Sequence, residues 1–226
     1  RDTIENVLVG ASPAIIAQQG TFTSSSISND FLYDKRNSRF SPTDGHFVRY
    51  NVDVTGFGGT ERFIGNELSG GVFRRLFGTS FVGSLDGSAG ILTSLDKDIR
   101  ISERHFLGGS SLRGFKSGGV GPRDLSVGDA LGGTNFYRAS AEVKFPLGLP
   151  EEFGIKGSVF SDVGSVFGND DPFASIADDA SVRGSVGMGM GWDSPAGPLR
   201  LNFTRAYLKE SYDKTESFSF NFGTRF

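Results

Sequence analysis

Three charged residues stand out because their types and spacing suit a buried ion-pair site. Arg113 lies among small and apolar residues in the Gly-rich segment 101–135, so its guanidinium needs an anionic partner or water. Glu142 and Asp162 fall on the polar sides of two consecutive alternating segments. Neighbouring strands lie about 4.8 Å apart, so two carboxylates placed in this way can share one guanidinium. The spacing fits a loop lock, in which Arg113 ties the loop to a strand wall, and equally fits three separately solvated charges.

Histidines and a Gly-rich stretch also occur, but the residues around them do not match a catalytic or phosphate-binding motif. His46 and His105 are far apart and have no nucleophile elbow near them, so no hydrolase triad is predicted. The Gly-rich stretch 108–121 lacks the Gly-Lys-Ser/Thr sequence and the helix of a phosphate loop. Cysteine is absent, which removes disulfides, thiolate metal sites and a Cys nucleophile. We therefore predict no catalytic residue and no cofactor.

Four aspartates in the segment 168–181 could in principle hold Ca²⁺. They are Asp170, Asp171, Asp178 and Asp179. Their spacing does not follow the ordered ligand pattern of a calcium loop. A solvated acidic loop is the preferred interpretation, and no metal site is predicted.

Strict alternation of apolar and polar residues predicts a series of β-strands on either side of the Arg113 loop. The last strand shows it best, with Phe218, Phe220, Phe222 and Phe226 on one side and polar or small residues on the other. A short helix near 72–77 remains an alternative. The stretch 1–21 is ambiguous, and its segments 7–9 and 14–17 could be pieces of a strand with an upstream partner. Strands are predicted at 24–34, 46–55, 62–76, 80–93, 136–145, 155–166, 182–193, 199–207 and 218–226.

The composition indicates that the apolar side of these strands faces lipid. The chain has 33 Gly and 22 Phe residues, and a row of Phe on an edge strand would promote aggregation in water. No apolar run approaches the ~20 residues of a membrane helix. The net charge of −3 argues against a nucleic-acid partner. We predict an all-β fold, a transmembrane antiparallel β-barrel, with the 101–135 loop folded into its polar lumen.

The connections between the predicted strands alternate in length. Those at 146–153 and 193–198 are short, whereas those at 101–135, 167–181 and 208–216 are longer. Outer-membrane barrels have short periplasmic turns and long outer loops. The last strand follows one of the longer connections and therefore ends on the side of the short turns. The C-terminus is thus expected on the periplasmic side.

Several segments together resemble the BamA-type outer-membrane assembly factors of the bacterial surface antigen family. The loop sequence Gly-Ser-Ser-Leu-Arg-Gly-Phe at 109–115 resembles the family's Arg-Gly-Phe/Tyr motif. The Asp-Lys-Arg turn at 34–45 is also similar, with Asn37 in place of an acid. The resemblance covers roughly 20–226. The other similar segments are Ala-Glu-Val-Lys-Phe-Pro at 141–146, Phe-Ser-Asp-Val-Gly at 160–164, Gly-Trp-Asp-Ser-Pro-Ala-Gly-Pro-Leu at 191–199 and the closing 218–226.

The resemblance implies roles for particular residues. It implies that Arg113, Gly114 and Phe115 form the motif of the loop lock, and that Glu142 and Asp162 are the acids that pair with Arg113 inside the barrel. It also implies that the last strand, with Phe218, Phe220, Phe222 and Phe226, forms one side of a lateral seam. Nascent outer-membrane proteins insert at that seam in the family.

The resemblance also implies that 1–226 is the C-terminal portion of a roughly sixteen-stranded barrel. The first strands and the soluble transport-associated domains that precede the barrel are absent from this sequence, which begins at Arg1 without Met or a signal peptide, as a fragment or processed product does. The function implied is a non-enzymatic insertase of the Gram-negative outer membrane. Its partners would be the lipid bilayer, nascent β-barrel proteins and accessory lipoproteins. The alternatives are a two-partner-type secretion translocator of the same superfamily and a passive porin.

Overall fold

The computed structural model describes residues 2–4, 10–77, 80–169, 171, 175–194 and 197–222. Within this part, the fold is almost entirely β-structure, with one short helix α1, Pro13–Ile16, and two turns of 3-10 helix, Ile101–Glu103 and Glu151–Phe153. The strands are β1 Asp2–Ile4, β2 Gly20–Phe22, β3 Ser26–Asp34, β4 Gly45–Thr55, β5 Phe63–Arg75, β6 Val82–Ser94, β7 Arg123–Asp124, β8 Asn135–Pro146, β9 Ile155–Phe167, β10 Ile176–Ala177, β11 Arg183–Ser194, β12 Gly197–Leu208 and β13 Phe218–Phe222.

Nine of the strands form one antiparallel sheet in the order β13-β12-β11-β9-β8-β6-β5-β4-β3. Each strand pairs with the next long strand of the sequence, so the sheet is a simple meander. The short pairs β1–β2 and β7–β10 lie outside it. The all-β antiparallel prediction is confirmed, and the predicted strands agree with the observed ones to within about two residues, except that residues 223–226 of the last predicted strand lie outside the described residues.

The structure corrects two expectations. The segment Pro13–Ile16 is a helix rather than part of a strand, since Ser12 caps it and Pro13 occupies the first turn, where proline is tolerated. The helix considered near 72–77 does not form, because β5 continues as a strand to Arg75. The predicted strand pieces at 7–9 lie outside the described residues.

The two faces of the sheet differ in chemistry. One face carries exposed apolar side chains on successive strands, including Leu68, Met188 and Phe220, which are 53%, 62% and 59% exposed. The opposite face carries polar side chains such as Ser140, Asp162 and Ser185, which are buried. What buries these polar groups is the segment 95–134 between β6 and β8, hereafter the inner loop.

The longest connections gather at one end of the sheet. The segments 95–134 and 168–182 leave the sheet at this end, as do 56–62 and 209–217, whereas 35–44, 76–81 and 147–154 leave it at the other end. A small core forms where the inner loop meets the sheet. Its members are Leu107, Leu112, Phe115, Val120, Phe136 and Val166. The alternation of connection lengths agrees with the sequence prediction.

None of the helices in the described part of the chain has the length and hydropathy needed to span a bilayer.

The two faces predict opposite tolerances to charge at adjacent positions of β5. Leu68 lies mid-strand on the exposed apolar face, and Ser69 lies on the polar face beside it. In the full-length protein reconstituted in lipid vesicles, Leu68→Lys should lower the free energy of unfolding by about 2–4 kcal/mol, because a lysine would be buried in hydrocarbon. Ser69→Lys is the matched control and should cost much less. Urea titration measures both, and equal losses would contradict a lipid-facing Leu68.

Candidate functional site: the Arg113 cluster

The backbone around Arg113 is held by its neighbours on both sides. Leu112 and Phe115 are fully buried in the small core, so the hydrophobic effect fixes the loop at this point. Gly114 has a φ of +91°, and a Cβ there would lie 2.8 Å from Cβ of Ser185. Glycine is therefore required both by the backbone conformation and by the close approach to β11.

Asp162 is the principal partner of Arg113. The Arg113 Nε donates to Oδ2 at 2.7 Å and one terminal nitrogen donates to Oδ1 at 2.7 Å, a two-pronged contact that fixes orientation as well as distance. The backbone N–H of Arg113 also donates to Oδ2, at 3.1 Å. Asp162 lies on β9 with its side chain 4% exposed, so this ion pair is largely removed from water.

Glu142 and two further residues complete the surroundings of the guanidinium. The other terminal nitrogen donates to Glu142 Oε1 at 3.2 Å. Ser140 accepts from Arg113 at 2.9 Å and donates to Asp162 at 2.7 Å. The guanidinium carbon lies 3.3 Å from the centroid of the Phe160 ring, a cation–π contact. The cluster therefore contains one cation, two anions, one hydroxyl and one aromatic face.

The sheet register produces this arrangement. Ser140 is the pair partner of Asp162, and Glu142 is the pair partner of Phe160. All four side chains therefore point to the same face, because the contacting residues within each strand are two positions apart. Gly187 of β11 lies opposite Phe160, and a Cβ at this position would come within 2.6 Å of the ring. The missing side chain makes room for the aromatic face under Arg113.

The charge balance of the cluster favours the ionised pair. Burial opposes the charged guanidinium, but the adjacent Asp162 and Glu142 outweigh that cost and raise the pKa of Arg113. Lys144 is 3.7 Å from Glu142. A polar cavity of about 210 Å³ borders the cluster and reaches toward Asn202 and Asn221 of the last two strands.

Sequence reasoning brought Arg113, Glu142 and Asp162 together but missed other members of the site. The side chains of the three are 12%, 12% and 4% exposed, so they are not separately solvated. Ser140 had no distinguishing feature in the sequence. Phe160 did, because it is an aromatic residue on an otherwise polar side of β9.

Two other buried pairs of arginine and aspartate were also missed. Arg104 pairs with Asp171 at 2.8 Å, and Arg183 pairs with Asp213 at 3.1 Å. Each involves an acid in a connection between strands. The sequence pattern gives one indication of a buried pair, because Arg183 lies at the start of a strand just after the acidic segment 168–181.

The histidines and the acidic loop do not form a chemical site. His46 packs beside Tyr33, and His105 packs against Phe136 with ring centroids 4.5 Å apart. Asp178 accepts backbone N–H groups at Gly168 and Asn169. No group of three or more potential metal ligands is found in the described ranges. Asp170 lies outside them.

The strand β13 presents the predicted row of phenylalanines. Phe218, Phe220 and Phe222 are 49%, 59% and 52% exposed, and lie on the apolar face. Phe226 lies outside the described residues. In the sheet, β13 pairs with β12 from Phe203 opposite Phe218 to Leu199 opposite Phe222, and its other edge has no neighbouring strand in the described sheet.

The two acids predict an order of effects in the Arg113 cluster. Asp162→Asn removes a two-pronged charged partner and should lower the free energy of unfolding by about 3–5 kcal/mol, the cost of breaking a buried pair. Glu142→Gln removes the charge from one longer hydrogen bond. Its effect on the free energy of unfolding should therefore be less than half as large. Urea unfolding of the full-length protein in vesicles gives both values. A larger effect for Glu142→Gln would contradict Asp162 as the principal partner.

A second polar contact ties the N-terminal segment to the inner loop. Ser12 donates from its hydroxyl to Asp124 at 2.6 Å and from its backbone N–H to Asp129 at 2.9 Å. Ser126 donates twice to the other oxygen of Asp124. Burial disfavours the charged form of Asp124, yet these hydrogen bonds prevail and lower the pKa of Asp124 to about 2. The contact therefore depends on an ionised carboxylate.

This lowered pKa predicts how the contact responds to acid. Because the folded-state pKa is below the ordinary value of 3.8, the stabilisation is complete above pH 4 and is lost as the pH falls through about 2. Hydrogen exchange at the amide of Ala14, divided by the intrinsic exchange rate at each pH, should accelerate as the pH falls from 5 to 2. By the same ratio, Asp124→Asn should exchange faster at pH 5 and show little of the acid dependence. The same acid profile in both proteins would contradict the assignment.

Comparison with known proteins supplies the family. Residues 3–226 match the model of the Omp85 superfamily domain. The chain is 34% identical over 220 residues to the outer membrane protein assembly factor BamA of Neorickettsia risticii, which covers 97% of this chain and 30% of that protein. It is 32% identical over 208 residues to a SAM50-like protein of Schizosaccharomyces pombe, covering 86% of this chain and 42% of that protein.

A solved structure shows the same fold. The crystal structure of BamA from Haemophilus ducreyi lacking POTRA domains 1–3 superposes with a TM-score of 0.77 at 23% identity, covering 86% of this chain and 41% of that chain. The chain thus spans less than half the length of these relatives. With the family model matched over nearly all of the chain, this protein belongs to the Omp85 superfamily.

Proposed function

We propose that this chain is the C-terminal barrel portion of an outer-membrane protein assembly factor, a non-enzymatic insertase that folds nascent β-barrel proteins into the membrane. Support comes from relatives named as assembly factors: BamA of Neorickettsia risticii and the sorting and assembly machinery component 50 homolog of Homo sapiens, which is 32% identical over 154 residues. The relatives include both bacterial and eukaryotic proteins. For this chain we propose the Gram-negative outer membrane as the location.

The free edge of β13 is the observation that carries the proposal. Its outward N–H and C=O groups have no partner strand in the described sheet. An extended segment can add to such an edge through main-chain hydrogen bonds, with little demand on its side chains. That property suits an assembly factor whose clients share strand structure rather than sequence. In this proposal β13 forms one side of the lateral seam, and the exposed phenylalanines face lipid.

The Arg113 cluster would act as the loop lock in the same proposal. The inner loop covers the polar face of β8, β9 and β11, and the ion pair holds it there. A loop fixed on the wall of the lumen would keep the pore narrow, which counts against the passive porin. It would also brace the strands that lead to the seam. Proposed partners are the lipid bilayer, nascent outer-membrane proteins and accessory lipoproteins, with no nucleic acid.

Site-directed cross-linking tests the seam. Residues 1–226 contain no cysteine, so Ser219→Cys on β13 introduces the single thiol of this part of the protein, and Ser69→Cys on the interior strand β5 is the matched control; any cysteine elsewhere in the full-length protein is first replaced by serine. The full-length protein in liposomes is mixed with an unfolded outer-membrane β-barrel client that has one cysteine in its terminal strand. We expect client folding to be faster than in empty liposomes, and disulfide capture at Ser219→Cys only.

The outcome separates the candidate functions. Equal capture at both cysteines would contradict templating by β13. Passage of the client into the liposome interior without insertion would instead identify a secretion translocator. Client folding no faster than in empty liposomes would overturn the proposed insertase activity.

A further inference from the structure

A second buried ion pair lies at the opposite end of β13 from the chain terminus. Arg183, the first residue of β11, and Asp213, in the connection 209–217 between β12 and β13, have side chains that are both fully buried. The Arg183 Nε donates to Asp213 Oδ2 at 3.1 Å. Such burial needs specific compensation, since two desolvated charges are costly unless their hydrogen bonds are satisfied.

The other nitrogens of Arg183 are satisfied by the surrounding chain. One terminal nitrogen donates to the backbone oxygens of Asp179 and Ser181 at 2.6 and 2.8 Å, and lies 3.3 Å from the Ser165 hydroxyl. The other donates to the Tyr212 hydroxyl at 2.9 Å. Through these hydrogen bonds, Arg183 of β11 holds the segment 209–217 against β9 and against the end of the acidic segment. None of these contacts belongs to the Arg113 cluster.

The connection is folded tightly around this pair. Asp213 Oδ2 also accepts the backbone N–H of Glu210 at 2.7 Å, and Glu210 accepts the Ser181 hydroxyl at 2.7 Å. The Tyr212 hydroxyl donates to Asp179 at 3.2 Å. Burial, with the charge of Asp179 adding to it and Arg183 opposing it, raises the pKa of Tyr212 to about 12. This hydroxyl therefore remains a donor throughout the physiological range.

Between Asp213 and the start of β13 the chain has little freedom. Lys214 exchanges backbone hydrogen bonds with the inner loop at Lys116 and Gly119, both at 2.9 Å, and the Glu216 N–H donates to Gly114 at 3.0 Å. The Ser217 carbonyl accepts the N–H of Thr204 on β12 at 2.9 Å. Phe218 follows at once as the first residue of β13. Whatever fixes Asp213 consequently fixes the entry point of the strand.

We propose that Arg183 and Asp213 are positioning residues for β13: the buried pair holds the 209–217 connection between β11 and the inner loop, and so sets where the free edge lies. Such a support matters for this strand because, within the described sheet, β12 is the only strand that pairs with it. This inference rests on the proposed function only for its relevance to insertion. A pre-positioned edge lowers the ordering cost of adding a client strand.

Hydrogen exchange on the full-length protein in lipid vesicles tests the inference. Asp213→Asn removes the charge but keeps the shape, and should accelerate exchange of the 218–222 amides by about tenfold or more as the strand opens locally. The matched control is Asp171→Asn, which breaks the Arg104–Asp171 pair, similarly buried but not attached to the 209–217 connection. It should leave exchange in β13 unchanged. Arg183→Lys keeps the charge but loses the planar guanidinium with its several donors. It should give an intermediate increase in the exchange rate of the β13 amides.

The readouts distinguish positioning from general stability. Equal acceleration of β13 by Asp213→Asn and Asp171→Asn, or acceleration of β4 and β5 to the same extent as β13, would overturn the inference. If Asp213→Asn does not fold, Tyr212→Phe removes the hydrogen bonds of the Tyr212 hydroxyl with Arg183 and Asp179 and should still loosen β13 measurably; no change there would also overturn the inference. Failure of the wild-type protein to insert clients would count against the proposed function alone, since exchange decides the positioning role.

Discussion

A guanidinium removed from water must be neutralised, and that requirement shapes the polar side of this sheet. Arg113 is carried by a loop that a small hydrophobic core also holds against the strands, and the ion pair fixes its position on the polar face. Two acids on adjacent strands, one hydroxyl and one aromatic ring meet it there. Losing any one partner would leave a charge with incomplete compensation in a partly dry site. The inner loop, the sheet register and the glycine pattern of β11 are all consistent with this single demand.

Much of the fold follows from the sequence because the two faces of the sheet meet different surroundings. Alternating side chains reveal strands, and the run from Phe218 to Phe222 could be read directly. The Arg113 cluster could be anticipated for a related reason. A lone cation among small residues needs partners, and carboxylates on polar sides of neighbouring strands are the available ones.

The features that escaped the sequence depend on long-range contacts in irregular segments. The pairing of Arg183 with Asp213 spans 30 positions and joins a strand to a connection whose path has no periodicity. The helix at Pro13–Ile16 forms where a strand was expected, because one serine cap and one proline outweigh the β-branched residues. Local patterns describe segments that repeat. They carry little information on how loops cross one another above a sheet.

The pairing of Ser140 with Asp162 and of Glu142 with Phe160 has a consequence for how the protein reaches its final structure. A slip of β9 against β8 by one residue would turn the Asp162 carboxylate to the apolar side. Arg113 would then lose Asp162, its two-pronged partner, and keep only the longer contact with Glu142. The loop therefore docks fully only on a hairpin with the native register. The ion pair thus selects among strand alignments, since it stabilises one register of β8 and β9 and leaves a poorly compensated charge in its nearest competitors.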